Sequence, residues 1–515
     1  MKRLNSSFLQ IFLFLFLTVA AIAQPTASLP RSTPEAEGIS SANIYKFLSE
    51  VERSNHEFHS FMILRHGKVV AEAWWSPYRP DLRHSLYSCS KSFTATAVGF
   101  AVSEGKLSVN DKVVSFFPDQ LPKTVSPNLA ALRVRDLLSM TVGMDPDPSF
   151  SLASTDSNWV KGFFKTPILH EPGTTFLYNS LATYMAGAIV QKVTGQTLVE
   201  YLKPRLFEPL GITGMDWETD PMGYEVGGWG LRLRTEDMAR FAQLFLQKGK
   251  WNGRQIIPQA WVEEATSMKI LQKPDIAQAD REKDDWAQGY CYQMWRSRHN
   301  SYRGDGAYGQ YMLVLPDQDA VIAITAESND LQGILNLVWD NLLGAFQTEP
   351  LTEGEAAVNL RKKLSSLALP MVKGANETPV VKGWMDKNYL LEPNQYIKSI
   401  SFADENGACK LTLTTEKEEY PLLFGWGKWV EGTTPRLGPN LASGAKGHFV
   451  GLPPSKVAGT CAWVDPTTLQ FKLRYIESPH SETFTCKIFG DQLLLELEKS
   501  NEFGANKVLL EGSVK

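Results

Sequence analysis

The stretch LYSCSKSFTATAVGF, residues 86–100, places three serines around a single lysine, Lys91. A serine hydroxyl is a poor nucleophile until a neighbouring group takes its proton. On a helix, residues three positions apart lie on one face, whereas residues one or two positions apart do not. Ser88 lies three positions before Lys91, while Ser90 and Ser92 are each next to it. The spacing therefore selects Ser88 as the candidate nucleophile and Lys91 as the group that accepts its proton.

The same stretch has a second interpretation as an ordinary helix start. Serine is common there because its hydroxyl caps free backbone N–H groups, and the apolar spacing from Ser88 to Glu104 predicts a helix that stops at Gly105. An S-x-x-K tetrapeptide also arises by chance in a long chain. A helix start nevertheless suits a nucleophile, because its unpaired N–H groups and the positive end of the helix dipole stabilise a developing oxyanion. The rest of the chain must decide between the two interpretations.

Strand and helix patterns along the chain predict two folded domains. Over residues 30–350, several helices are enclosed in sequence by two strand clusters, FMILRHGKVVAEAWW and QYMLVLPDQDAVIAIT. This order predicts an α+β domain in which one mixed antiparallel sheet is flanked by helices, with a helical subdomain. Over residues 376–515, short alternating runs separated by turns predict an all-β domain, barrel- or lipocalin-like in form. No catalytic constellation is found in this second domain.

The first residues have the pattern of a secretory signal peptide. A short basic start precedes an apolar run over residues 8–22, which ends in the small-x-small cleavage motif Ala21-Ile22-Ala23. The pattern predicts a signal peptide over 1–23 and an exported mature protein, in a bacterial periplasm or secreted, without stable membrane insertion after cleavage. An uncleaved membrane anchor is the alternative, because the run approaches the length of a membrane span.

Charge and cysteine content narrow the classes of partner. The 515-residue chain has a formal net charge of -4 and no basic block or stripe, so nucleic acid is not an expected partner. Its histidines and cysteines show none of the usual zinc spacings, and neither a metal nor a cofactor is expected. The five cysteines permit at most two disulfides in an oxidising compartment, and Cys461 and Cys486 are one possible pair. The oligomeric state stays open.

A series of motifs over residues 30–350 resembles the serine β-lactamases and penicillin-binding proteins. The similarity is greatest to the class C β-lactamase-like branch, which includes esterases, D-amino-acid peptidases and 6-aminohexanoate-dimer hydrolases. The supporting stretches, in chain order, are GKVVAEAWW, SCSKSFTA, GKLSVNDKV, VRDLLSMTVGM, EPGTTFLYNSLATYMAGAIVQKVTG, TEDMARFAQLFLQKGKWNGRQIIP and GAYGQYMLVLPDQDAVIAIT. The resemblance implies a β-lactamase/transpeptidase-like fold and hydrolysis through an acyl-enzyme on serine, with no cofactor.

The resemblance also implies a tyrosine motif, usually Y-x-N, and FLYNS supplies its tyrosine, Tyr178. The family role of this tyrosine is to relay the proton between nucleophile, lysine and leaving group, and a tyrosine pKa can fall beside a lysine ammonium. This chain departs from the pattern, because Asn179 follows Tyr178 directly and Ser180 occupies the usual asparagine position. Ser180 can still donate one hydrogen bond toward Ser88, Lys91 or substrate.

The third motif of the superfamily is usually K-T-G, on a strand that lines the site. Its best match is GDGA, directly before the strand-like QYMLVLP. By resemblance, Asp305 and Gly306 belong to the oxyanion and substrate-binding region, and the N–H groups of Ala307 and Ser88 form the oxyanion hole. The lysine that helps relatives to hold a β-lactam or peptide carboxylate is absent here, and Arg303 is a possible replacement.

These residues leave three functions open. The leading hypothesis is an exported serine hydrolase that cleaves a small-molecule ester or amide through a Ser88 acyl-enzyme, with Lys91 and Tyr178 as proton-transfer groups. The second is a D-amino-acid peptidase or β-lactamase acting on cell-wall peptides or β-lactams, against which the missing lysine counts. The third is a catalytically silent relative that binds a ligand. An α/β-hydrolase is not supported, because the chain has no G-x-S-x-G motif.

Overall fold

The computed structural model of the chain describes residues 28–378, 381–394, 397–500 and 507–514, and the predicted signal peptide lies outside them. The helices in these ranges are α1 (Ser41–Arg53), α2 (Ser90–Ser103), α3 (Pro127–Ala131), α4 (Val134–Leu138), α5 (Ser149–Thr155), α6 (Trp159–Lys165), α7 (Ser180–Thr194), α8 (Leu198–Leu202), α9 (Glu208–Leu210), α10 (Thr235–Leu246), α11 (Gln259–Thr266), α12 (Gln278–Arg281), α13 (Leu331–Leu342) and α14 (Glu355–Leu364). The strands before residue 350 are β1 (Glu57–Arg65), β2 (Lys68–Trp74), β3 (His84–Ser85), β4 (Asp216–Trp217), β5 (Leu231–Leu233), β6 (Lys250–Trp251), β7 (Arg254–Gln255), β8 (Trp295–Arg296), β9 (Tyr302–Gly306), β10 (Gln310–Leu315) and β11 (Ala320–Glu327). Those after it are β12 (Asn388–Leu391), β13 (Ser399–Glu405), β14 (Ala408–Thr414), β15 (Glu419–Trp426), β16 (Val430–Thr434), β17 (Ser455–Trp463), β18 (Thr468–Tyr475), β19 (Ser481–Phe489), β20 (Gln492–Lys499) and β21 (Lys507–Val514).

The first domain is organised on a six-stranded antiparallel sheet with the order β2-β1-β11-β10-β9-β8. Strands from the two ends of the domain meet at its centre, where β1 pairs with β11. Both strands are buried over almost their whole length, because helices cover both faces of the sheet. One hydrophobic core contains residues of α1 and α13, and the other contains residues of α2, α7 and α10. The predicted α+β class is confirmed.

Helix α2 occupies the centre of the larger core. It is buried from Ser90 to Ala101 on all sides, as expected for a helix enclosed by other elements rather than lying at the surface. The ring of Phe93 stacks on Phe241 of α10 at 3.9 Å between centroids, and α7 packs on α2 as well. The helix start at residue 90 is therefore held rigidly. None of the helices in the described ranges is long and apolar enough to cross a membrane.

The second domain is a closed β-barrel. Its described strands follow the order β15-β14-β13-β12-β21-β20-β19-β18-β17, and a parallel pairing of β15 with β17 closes the ring, while β16 pairs along β17. Side chains alternate between a filled interior and the surface, as in β19. The all-β prediction is confirmed, in its barrel form.

The possible disulfide between Cys461 and Cys486 is wrong. All five cysteines are free and buried. Cys461 lies on β17 and Cys486 on β19, with β18 between them. Two strand spacings separate the Cα atoms by about 9–10 Å, beyond the roughly 7 Å that a disulfide can bridge.

An ion pair between a buried arginine and a half-buried glutamate links the barrel to the first domain. Arg474 of β18 donates to both carboxylate oxygens of Glu57 on β1, at 2.5 and 2.9 Å. The Arg474 side chain is only 2% exposed. Burial alone raises the pKa of Glu57, but Arg474 and the hydrogen bond from His59 lower it well below its usual range. The carboxylate is therefore held ionised by a residue of the other domain.

Replacing Arg474 with methionine keeps most of its apolar stem and leaves the Glu57 carboxylate without its main partner. Because the Glu57 side chain is 29% exposed, we expect the free energy of unfolding to fall by about 2 kcal/mol, less than for a fully buried pair and more than for an exposed one, measured by equilibrium urea denaturation. Arg361→Met is the matched control, because the pair of Arg361 with Glu353 is exposed (59% and 46%) and contributes less than about 1 kcal/mol. Equal effects of the two substitutions would contradict the role of the pair of Arg474 with Glu57.

Candidate active site

The three serines around Lys91 differ in access and in partners. Ser88 is half-buried, whereas Ser90 and Ser92 are fully buried. The Ser90 hydroxyl accepts a hydrogen bond from the N–H of Leu231 at 3.2 Å, and the Ser92 hydroxyl donates to the carbonyl of Gln293 at 3.0 Å. Two of the serines therefore fix α2 to its surroundings, and Ser88 is the one whose hydroxyl is accessible.

The amine of Lys91 is surrounded by three oxygen acceptors from three parts of the chain. Its Nζ lies 3.1 Å from Ser88 Oγ, 2.9 Å from Ser180 Oγ and 2.6 Å from the carbonyl of Gly228. The lysine is 1% exposed. The structure thus brings Ser88, Lys91 and Ser180 together, with the amine between the two hydroxyls.

Burial sets the protonation of this amine. Removal from water lowers the pKa of Lys91 to about 7, and the negative charges of Asp147 and Asp305 oppose the shift only in part. A lysine with this pKa carries a substantial neutral fraction near pH 7, whereas an exposed lysine is fully protonated. The neutral amine has a lone pair that can accept the proton of Ser88.

Tyr178 lies beside this pair, one position before the cap of α7. Its ring centre is 5.0 Å from Lys91 Nζ, and Trp295 stacks on the ring at 5.7 Å. Burial raises the pKa of Tyr178, while a hydrogen bond with Ser88 opposes the shift. The pKa of Tyr178 therefore rises rather than falls, because loss of water outweighs the hydrogen bond with Ser88. Tyr178 is a neutral hydroxyl that can relay a proton.

Asn179, which lies one position before the usual asparagine position of the tyrosine motif, has a structural role. The Asn179 side chain accepts from the N–H groups of Leu181 (2.9 Å) and Ala182 (3.1 Å), so it caps α7. Ser180 follows as the first residue of the helix, and its hydroxyl contacts Lys91. The chain therefore presents a hydroxyl to the lysine at the position where relatives usually have a carboxamide.

The end of β9 approaches the backbone around Ser88 very closely. A Cβ atom on Gly306 would lie 2.3 Å from the carbonyl oxygen of Leu86 and 3.3 Å from the nitrogen of Cys89, so only glycine fits. Ala307 is the next residue and is half-buried. Among the described turns, loops and helix caps, the N–H groups of Ser88 and Ala307 have no hydrogen-bond acceptor. Both donors are available, and the oxyanion hole stays a prediction.

Asp305 and Arg303 form a buried ion pair on β9. Arg303 Nε donates to Asp305 Oδ2 at 2.9 Å, and the guanidinium also donates to the hydroxyl of Ser297 and lies over the ring of Trp286. Burial raises the pKa of Asp305, and Arg303 opposes the shift. Because Arg303 is fully buried, it does not replace the missing lysine. The predicted contact of Asp305 with substrate stays a prediction.

Sequence reasoning missed Gly228, whose carbonyl is the third acceptor of Lys91. A Cβ on Gly228 would lie 2.7 Å from the carbonyl oxygen of Ser180, so a close approach of two loops requires glycine there. The only sequence feature that could have indicated this role of Gly228 is the glycine-rich segment VGGWG, and such a segment is ordinarily interpreted as a turn.

Comparison with known proteins places these observations in a family. The family described as Beta-lactamase matches residues 59–341. The chain is 27% identical over 321 residues to the 6-aminohexanoate-dimer hydrolase of Paenarthrobacter ureafaciens, covering 58% of this chain and 81% of that protein. It is 25% identical over 233 residues to the "Putative D-alanyl-D-alanine carboxypeptidase" of Escherichia coli strain K12, covering 39% of this chain and about half of that protein (54%).

A solved structure bears on the fold alone. The "Putative 6-aminohexanoate-dimer hydrolase from Bacillus anthracis" superposes with a TM-score of 0.52 at 21% identity, and the match covers 62% of this chain and 88% of that chain. The β-lactamase-like fold expected from the motifs is confirmed.

The buried amine predicts a pH dependence of ester hydrolysis. We expect kcat/KM to rise with pH through about 7, because protonated Lys91 cannot accept the Ser88 proton and neutral Lys91 can. In Ser180→Ala the amine loses an acceptor that stabilises its charged form, so the rising limb moves to lower pH. Ser90→Ala is the control, since its hydroxyl does not contact the amine, and its limb keeps the parent position. A parent profile that is flat between pH 5 and 9 would refute this assignment.

Proposed function

The chain belongs to the Beta-lactamase family, whose members are serine hydrolases, and we propose that it cleaves an ester or amide through an acyl-enzyme on Ser88. The observation that carries the proposal is the position of Lys91 Nζ, 3.1 Å from Ser88 Oγ, with a pKa of about 7. An amine in this state is a base matched to neutral pH.

The three acceptors direct the lone pair of neutral Lys91. The carbonyl of Gly228 can only accept, so it takes one N–H of the amine, and the Ser180 hydroxyl accepts the second. The lone pair then faces Ser88. Ser88 transfers its proton to Nζ as its Oγ bonds to the substrate carbonyl carbon.

The tetrahedral intermediate carries a negative oxygen, which the N–H groups of Ser88 and Ala307 stabilise. As the intermediate collapses, the proton on Lys91 passes to the leaving alcohol or amine, with the Tyr178 hydroxyl as relay. Water then attacks the acyl-enzyme and its proton passes to Lys91, directly or through the Tyr178 hydroxyl as relay. As the acid product leaves, Lys91 returns a proton to Ser88 Oγ.

The relatives and the position of Arg303 bear on the proposed substrate class. The relative named 6-aminohexanoate-dimer hydrolase aligns over more of this chain than the carboxypeptidase relative does, 58% against 39%. Arg303 is buried in its pair with Asp305, so the carboxylate of a substrate, whether of a peptide or of a 6-aminohexanoate dimer, needs a group other than Arg303, whereas a simple ester needs none. We infer a small ester or an amide of the 6-aminohexanoate-dimer kind, and the predicted signal peptide adds the proposal that the protein is exported.

A D-amino-acid peptidase or β-lactamase is the second candidate, supported by the carboxypeptidase relative. It requires recognition of a carboxylate by a group other than Arg303. Rapid acylation by labelled penicillin, or release of D-alanine from a D-alanyl peptide, would favour it over the ester or amide hydrolase.

A substrate panel tests the proposal. We expect hydrolysis of p-nitrophenyl esters and of 6-aminohexanoate dimer, with nitrocefin turned over much more slowly. Ser88→Ala lowers kcat/KM at least about 1,000-fold, because the acyl-enzyme cannot form. Ser90→Ala, a matched change two residues away, retains activity. Retained activity in Ser88→Ala would show another nucleophile, and a parent inactive on every substrate of the panel would indicate a silent ligand-binding relative.

A further inference from the structure

Two tyrosines on either side of the proposed oxyanion hole have unusual backbone conformations. Tyr87 directly precedes Ser88 and has a φ of 47°, and Tyr308 directly follows Ala307 and has a φ of 65°. Bulky residues rarely adopt this left-handed region, and such a conformation persists only where the surrounding structure holds it. The positions of the two N–H donors therefore depend on whatever holds these tyrosines.

A single histidine of the barrel contacts both tyrosines. His480 lies in the turn between β18 and β19 and is fully buried. Its ring is edge-on to Tyr87 at 5.8 Å and to Tyr308 at 4.8 Å, and the two tyrosine rings are 5.4 Å from each other. The three rings form one cluster, which we call the His480 cluster, directly beneath the nucleophile turn.

Hydrogen bonds fix the orientation of this histidine. Its Nδ1 lies 2.6 Å from Glu327 Oε1, at the end of the central strand β11, and its Nε2 lies 2.5 Å from the hydroxyl of Tyr87. The carboxylate accepts from Nδ1–H, so Nε2 carries the lone pair and accepts from the Tyr87 hydroxyl. Ser500, also of the barrel, donates to the same Glu327 oxygen at 2.7 Å. Each donor and acceptor in this series of hydrogen bonds, from Glu327 through His480 to Tyr87, has a suitable partner.

We propose that His480 is a positioning residue of this active site, through which the barrel holds the oxyanion-hole backbone. The proposal rests on the proposed function. His480 touches no substrate atom. It fixes the hydroxyl of Tyr87 and packs on Tyr308, and so keeps the N–H groups of Ser88 and Ala307 aimed at one point. The barrel is then part of the catalytic machinery, although it supplies none of the proton-transfer groups.

This role of His480 predicts a specific effect on the kinetic constants. The oxyanion exists only in the transition state and the tetrahedral intermediate, so misplaced donors lower kcat and leave substrate binding nearly unchanged. A merely structural role of His480 in joining the domains would lower stability without this selective effect on kcat.

Two tyrosine-to-phenylalanine variants separate these roles. Tyr87→Phe removes the hydrogen bond to His480. Tyr78→Phe removes a hydrogen bond of 2.9 Å to the carbonyl of Ser478, in the same barrel turn, and leaves Tyr87 untouched. We expect Tyr87→Phe to lower kcat for a p-nitrophenyl ester about tenfold with KM within twofold, and Tyr78→Phe to keep both constants within twofold. Thermal unfolding of each variant measures the stability that each has lost.

His480→Gln and a boronic acid complete the test. His480→Gln lowers kcat by a similar factor, and the double variant with Tyr87→Phe is no slower than the worse single variant, because both remove one interaction. Phenylboronic acid, which forms a tetrahedral adduct with a nucleophilic serine, binds Tyr87→Phe more weakly in proportion to the loss of kcat/KM.

The outcomes distinguish this inference from the proposed function. A parent enzyme without hydrolase activity on any substrate refutes the proposed function itself. An active parent with Tyr87→Phe and His480→Gln at full kcat refutes only the role of His480. Equal losses in Tyr87→Phe and Tyr78→Phe would also refute it, since domain contact alone would then account for the effect.

Discussion

Loss of water around one amine is the constraint on which this site depends. Lys91 is 1% exposed, and a buried ammonium is costly unless its hydrogens are paired. Ser88, Ser180 and the carbonyl of Gly228 provide that pairing from the turn that leads into α2, from α7 and from the loop before β5. The same burial lowers the pKa of the amine to about 7. Burial therefore destabilises the charged amine and makes it basic at neutral pH, and the three segments that pair its hydrogens offset part of that cost.

Close backbone approach is what lets these segments meet. Side chains on Gly228 and Gly306 would lie 2.7 Å from Ser180 O and 2.3 Å from Leu86 O, so each glycine permits a contact that every other residue blocks. Helix α2, which is buried on all sides, carries Lys91 into the middle of this arrangement, and Ser88 lies in the short 3-10 turn (Tyr87–Cys89) that leads into it. The apolar composition of α2 is thus a requirement of the site as well as of the core.

Sequence patterns predicted the site residues that lie close together along the chain. They did not predict the site contacts between residues that are far apart along the chain. Ser88 and Lys91 are three residues apart on one helix turn, so periodicity alone pairs them. Tyr178 and Ala307 were reached only through family resemblance, because nothing local links them to Ser88. A backbone carbonyl such as that of Gly228 leaves no side-chain pattern in the sequence. His480 is an isolated histidine in a domain that shows no catalytic pattern. The rise of the Tyr178 pKa was also missed, because desolvation is a property of the packed fold.

The division of the chain into a catalytic domain and a separate barrel is therefore misleading for function. The family match ends at residue 341. His480, which is hydrogen-bonded to Tyr87, lies 393 positions after Tyr87 along the chain. The first domain contains Ser88, Lys91 and Tyr178, but Tyr87, whose φ is 47°, has its hydroxyl hydrogen-bonded to His480 of the barrel. The barrel turn supplies that partner, and the ion pair of Arg474 with Glu57 holds the turn in place. Under the proposed function, the left-handed backbone beside Ser88 is held by contacts made in the other domain, which ties the geometry of the proposed oxyanion hole to the docking of the barrel.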